Sequence, residues 1–105
     1  MHYFSIICKD APDSNTKRRA LRTAHLERLK QLQIEQRLLI AGPYYAQSPI
    51  NDDTIDGHII GDIIIAKFAT QTEANEWAAA DPFVTAGIYL NIDIHPFNPT
   101  ISDLL

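Results

Sequence analysis

The chain has 105 residues and a net charge of −4, so it is read as one domain with a single core, without the basic footprint that nucleic acid requires. Hydrophobic residues at 46% and charged ones at 21% are globular proportions, which argues against disorder. One cysteine excludes an internal disulfide; with no leader-like stretch and no apolar run long enough for a bilayer, a cytoplasmic protein without membrane association is expected.

Residues 3–9 alternate, with Phe4, Ile6 and Cys8 on one side and Tyr3, Ser5 and Ile7 on the other. They predict a first strand in which Cys8 is a small buried hydrophobe. Residues 10–14 read as a turn, with Asp13 or Ser14 placed to cap the helix that follows. In that helix, over 15–37, Leu21, His25, Leu29 and Leu32 recur at i, i+4, i+8 and i+11. Histidine thus sits on the face that should be buried, and Arg22 and Arg18 lie one and two turns before it. A titratable ring on an apolar stripe needs a partner, because an unpaired buried polar group is costly.

Residues 38–45 predict a second strand, placed at an edge or bent because Pro43 cannot donate to a ladder. Residues 46–57 read as a hairpin connection. In the third strand, 59–68, Ile63, Ile64 and Ile65 break the alternation, as a strand buried on both faces does. Thr70 and Glu73 have capping-box spacing and open a short helix with Ala74, Trp77 and Ala78 inward. Asp81 continues that face, and Pro82 ends the helix by forcing Asp81 out of the α region. After a turn over 83–87, Ile88, Leu90, Ile92 and Ile94 alternate with Tyr89, Asn91, Asp93 and His95 in a fourth strand, and 98–105 form a tail.

The order β-α-β-β-α-β predicts an α+β, ferredoxin-like fold with a four-stranded antiparallel sheet and both helices on one face. The other face, apolar through the isoleucine run, would be covered by a second copy, which predicts a homodimer through the sheet. Helix two is about half the length of helix one and antiparallel to it, so its end at Asp81 should arrive opposite the middle of helix one at His25. A carboxylate bonded to one ring nitrogen fixes the tautomer and makes the other nitrogen a general base. Equally, a buried His–Asp pair can merely tie two helices together.

Several separated motifs share a resemblance. Lys17-Arg18, Arg22, Ala24-His25-Leu26, Arg37-Leu38-Leu39 with Ala41-Gly42-Pro43, Ala80-Asp81-Pro82-Phe83 and Ala86-Gly87-Ile88-Tyr89 look like the YciI family of small bacterial proteins, in register over about 3–97. The resemblance implies a dimeric α/β barrel and an active site centred on His25 and Asp81, with Arg18, Arg22, Gly42 and Pro43 at the family's arginine and Gly-Pro positions. One branch of the family is associated with removing chloride from a chlorinated hydroxyhydroquinone. Gln36 departs from the pattern where glycine is usual at the helix end. His58 and Asp62 stand where an aromatic and a small hydroxyl residue are expected, near the hairpin and the pocket rim. His95 replaces a lysine and is expected to be without consequence.

His2, His58 and His95 lack metal-ligand spacing with His25, so no metal site is expected, and no phosphate loop or dinucleotide fingerprint implies a cofactor. Ser5 shows no nucleophile signature. The leading expectation is a cofactor-free enzyme in which His25, oriented by Asp81, moves a proton on a small quinol-like or carbonyl compound. Arg18 or Arg22 would steady an anionic group, and Pro43 and Tyr44 would wall the pocket. The competing expectation is a ligand-binding or regulatory module using the same cleft without turnover.

Overall fold

The alternation of the first strand sorts the molecule into layers. Phe4, Ile6 and Cys8 are buried in one cluster with Leu29, Leu32, Ala74 and Ala78, while Ile7 and Lys9 are exposed on the opposite side. The computed structural model describes residues 1–47 and 59–105. In them the chain runs β1 (His2–Asp10), α1 (Asn15–Ile34), β2 (Leu38–Tyr45), β3 (Ile59–Phe68), α2 (Gln71–Ala79), α3 (Pro82–Thr85) and β4 (Tyr89–Pro96). The sheet is antiparallel throughout, in the order β2-β3-β1-β4. The expected α+β arrangement is present, with β2 at an edge where Pro43 needs no ladder partner. Most of the expected hairpin connection, and His58, lie outside the described residues.

Four local expectations are corrected. The helix α1 stops at Ile34, three residues early, in a Schellman turn: Arg37 N–H donates to Leu32 and Gln36 N–H to Gln33, with Gln36 at φ 59. Neither Asp13 nor Ser14 caps α1 with its side chain; the Ser14 hydroxyl turns back to the Ala11 carbonyl at 2.7 Å. The turn expected at 83–87 instead begins with the short helix α3. In β4 the alternation slips: Lys9 pairs with Asn91 but Asp10 pairs with Tyr89, so a bulge leaves Leu90 exposed and turns Tyr89 inward.

The capping box of α2 forms almost as its spacing suggests. Thr70 accepts the Glu73 N–H at 3.1 Å, while the Glu73 carboxylate takes the N–H of Ala69, one residue earlier than the usual partner. Pro82 at the first position of α3 holds Asp81 extended (φ −67, ψ 137), which breaks the chain direction between α2 and α3. That break puts the Asp81 carboxylate beside the middle of α1.

Candidate active site

Between α1 and the edge of the sheet lies a cavity of about 390 Å³. Helix α1 contributes Arg18, Arg22 and His25 to its lining, β2 contributes Pro43 and Tyr45, and β3 contributes Asp62. Leu26, Leu29 and Ile64 make part of the wall apolar, and Phe83 closes it from α3. Such a hollow, largely apolar with a few convergent polar groups, is the usual form of a small-molecule site.

His25 is 5% exposed and its ring stacks on Phe83, with centroids 4.2 Å apart and planes at 8°. Its Nδ1 lies 2.9 Å from Asp81 Oδ2 and 3.1 Å from Oδ1. The carboxylate, 2% exposed, also accepts the Phe83 N–H at 2.9 Å and an Arg28 N–H at 3.0 Å. Burial pushes the Asp81 carboxyl up, but the His25 hydrogen bond and charge, the Phe83 N–H and Arg28 together bring it below its usual value. An ionised carboxylate accepts from Nδ1–H, which in the neutral ring leaves the lone pair on Nε2. Nε2 has no hydrogen-bond partner among the described residues, and His25 lines the cavity. Asp81 itself does not line that cavity; it lies behind the ring, against Nδ1.

A second buried network adjoins the first. Arg18 donates to Asp10 through Nε and, at 2.9 Å, through Nη2, which also reaches Asp62 Oδ2 at 2.6 Å. The Tyr89 hydroxyl donates to the same Asp62 oxygen at 2.5 Å. Burial alone would favour a neutral Arg18, but its bonds to the two carboxylates outweigh this and hold the guanidinium charged. Burial and the Asp62 charge push the Tyr89 phenol up, so it stays a donor. Burial and Asp62 also push the Cys8 thiol up to about 12, which keeps it an inert thiol.

Three expected placements need correction. Arg18 is committed to Asp10 and Asp62 rather than free for a ligand anion; Arg22, exposed in the cavity lining, is the freer of the two. Tyr44 does not line the cavity. It pairs with Gly61 on the open face of the sheet and its hydroxyl donates to the Cys8 carbonyl at 2.9 Å; Tyr45, two residues after Pro43 on the same face of β2, takes its place in the wall. Asp62 is no rim residue: at 3% exposed it is buried in the floor. Pro43 lines the cavity where expected, whereas Ser5 pairs with Ile65 and His95 on the opposite side.

Sequence reasoning passed over Asp10, Arg28 and the inward role of Tyr89. Asp10 continues the buried alternation of Phe4, Ile6 and Cys8, and Arg28 follows His25 by three residues on the same helical face, so both were within reach of periodicity. Tyr89 was not, because the bulge that turns it inward has no local signature.

The YCII-related domain family matches residues 1–98. An uncharacterized protein of Haemophilus influenzae is 43% identical over 97 residues, covering 90% of this chain and 95% of that one. Protein YciI of Escherichia coli is 43% identical over 94 residues, covering 90% and 94%. Among solved structures, the 5-chloro-2-hydroxyhydroquinone dehydrochlorinase of Burkholderia phenoliruptrix, in complex with 2,5-dihydroxybenzoquinone, superposes with a TM-score of 0.80. It is 25% identical, and the match covers 91% of this chain and 93% of that one.

Proposed function

The chain belongs to the YCII-related family, and from that premise we propose that it is a small-molecule enzyme working by general acid–base catalysis without a cofactor. The observation that carries this reading is His25, which lines a partly apolar cavity with its Nδ1 held by Asp81 and its Nε2 without a hydrogen-bond partner among the described residues. Nε2 takes a proton from a hydroxyl or an acidic carbon of the substrate. The imidazolium so formed, stabilised by the Asp81 charge, returns it to another atom of the same molecule. Arg22 meets an anionic part of the substrate at the cavity, and Pro43 and Tyr45 supply wall. The dehydrochlorinase likeness makes a hydroxylated six-membered ring the first substrate to try.

The same proposal pairs two copies through the open sheet face. Ile7, Ile40 and Ile63 there remain 42%, 50% and 38% exposed, an apolar group that a partner would cover. Light scattering should give about twice the chain mass of 11.8 kDa.

Turnover tests the reading directly. Incubation with 5-chloro-2-hydroxyhydroquinone, followed by a chloride electrode and by chromatography, should show product with wild type and a loss of about two to four decades in rate with His25→Ala. A rate that survives the alanine change would refute general-base catalysis by His25. Capture of the ring compound without product in either protein would favour a binding module in the same cavity.

A further inference from the structure

The floor of the cavity holds more negative than positive charge. Asp10 and Asp62 are both buried, and the single guanidinium of Arg18 serves the two of them. Arg18 is therefore already neutralised from within the protein, with one carboxylate charge left over. Both bonds to Asp62, from Arg18 and from Tyr89, go to Oδ2. Asp62 lines the cavity, and Oδ1 is its oxygen that accepts no hydrogen bond among the described residues.

We propose that Asp62 is a specificity-determining residue: it occupies Arg18 and turns the cavity floor into a hydrogen-bond acceptor, selecting ligands that bury a donor group, a hydroxyl or a protonated amine, and rejecting those that bury a carboxylate or phosphate. The inference rests on the reading above only in taking this cavity as the ligand site; it does not need His25 to be a base. A buried carboxylate oxygen without a donor is costly, so a ligand hydroxyl or ammonium gains a charge-assisted bond there. A ligand carboxylate would meet like charge in a low-dielectric site, where repulsion is screened far less than at the surface. The phenol of Tyr89 cannot soften this by turning to the ligand as a donor, because its O–H is already donated to Asp62 Oδ2. Arg19 and Arg22, exposed in the lining, can still attract an anionic outer end, so the selection concerns the buried end of the ligand.

The test uses three probes of one shape: benzyl alcohol, benzylamine and benzoate. Binding is followed by NMR from the floor amides of Asp62 and Tyr89, so that an anion resting on Arg19 and Arg22 is not counted. Wild type should bind the alcohol and the amine about tenfold or more tighter than benzoate. In Asp62→Ser, which removes the uncompensated carboxylate and leaves Arg18 paired with Asp10, benzoate should bind at least as tightly as the alcohol and the amine. Asp62→Asn, closest in size, should narrow the difference, and its spectrum shows whether the fold is kept if the serine variant is unstable. Benzoate binding at the floor as well as the alcohol in wild type would overturn the proposal, as would no floor binding by any probe, or an order unchanged in both variants. Repeating the series in His25→Ala separates the two readings: an intact order beside lost turnover supports both, and an intact order with turnover retained sinks only the acid–base role.

Discussion

Arg28 and His25 share one oxygen of Asp81: Oδ2 lies 3.0 Å from Arg28 Nη1 and 2.9 Å from His25 Nδ1. The other oxygen bonds the Phe83 N–H and so caps α3, which carries the ring stacked on His25. One carboxylate thus sets both the tautomer of the imidazole and the position of its aromatic support. Asp81→Asn keeps a capping oxygen but loses the charge. The ring ¹⁵N shifts of His25 should report the Nδ1–H tautomer in wild type and a mixture in the variant, since an amide can face Nδ1 with either end. Identical shifts in the two proteins would mean that the carboxylate does not set the tautomer. The variant should lose about 1.5–3 kcal/mol of stability, the worth of hydrogen bonds to a charged group.

The same carboxyl makes stability depend on acid. Its folded value lies below the usual one, because the His25 and Phe83 bonds and the Arg28 charge overcome the opposing effect of burial. A depressed carboxyl contributes fully above its unfolded value of about 3.9 and loses that contribution as pH falls through the folded value. Wild type should therefore lose stability below about pH 4 more steeply than Asp81→Asn, measured by urea unfolding in steps of pH. Parallel curves would show that the acid sensitivity lies elsewhere.

Removing Arg18 exposes the imbalance of the floor. Arg18→Met deletes the only guanidinium bonded to Asp10 and Asp62 among the described residues and leaves two buried carboxylates uncompensated. Breaking a buried ion pair from one side costs about 3–5 kcal/mol, so this chain should be close to unfolding at room temperature. Adding Asp10→Asn in the same background should restore part of the loss, because the stranded charge is what costs. Denaturant midpoints of the single and double variants read the effect, and additive losses would contradict the shared-guanidinium arrangement.

Much of this arrangement is legible in the chain, and the illegible parts share a cause. His25 and Asp81 come together because helical period, relative helix length and the pre-proline break are all local signals that topology combines. Arg18 on the buried stripe was visible, but its role was not, since its partners Asp10 and Asp62 sit on two different strands and only sheet register sets them side by side. Tyr45 shares the face of Pro43 by plain alternation along β2 and was within reach, whereas Tyr89 turns inward only through a bulge in β4. A shift of one residue in a strand exchanges faces, and nothing in the local composition announces it.

Gln36 occupies the left-handed position of the Schellman turn that ends α1, at φ 59. A side chain there works against the backbone, whereas glycine adopts the conformation freely but gives up more entropy on folding. Netting the two, Gln36→Gly should stabilise the protein by about 0.5–1 kcal/mol. Its melting temperature should rise by a few degrees. The residue is exposed and lies outside the cavity, so catalytic or binding measurements should not change. A lower melting temperature would show that the glutamine side chain contributes more than its backbone strain costs.

Two glycines on neighbouring strands should respond to alanine in opposite ways. At Gly61 an added Cβ would stand 2.1 Å from the Cys8 carbonyl oxygen and 2.3 Å from the Tyr44 ring, and the first of these is backbone in the adjacent strand. The sheet cannot yield there without parting β1 from β3, and Tyr44 would lose the path by which its hydroxyl reaches Cys8. Gly61→Ala should therefore cost about 3 kcal/mol or more, at the upper end for overpacking. At Gly42 the same methyl meets nothing within 4 Å, so Gly42→Ala should stay within about 0.5 kcal/mol of wild type. Thermal unfolding of both variants decides the matter: a tolerated alanine at 61 would mean that Tyr44 does not lie across the strand, and a damaging one at 42 would mean that a neighbouring group fills the space beside it.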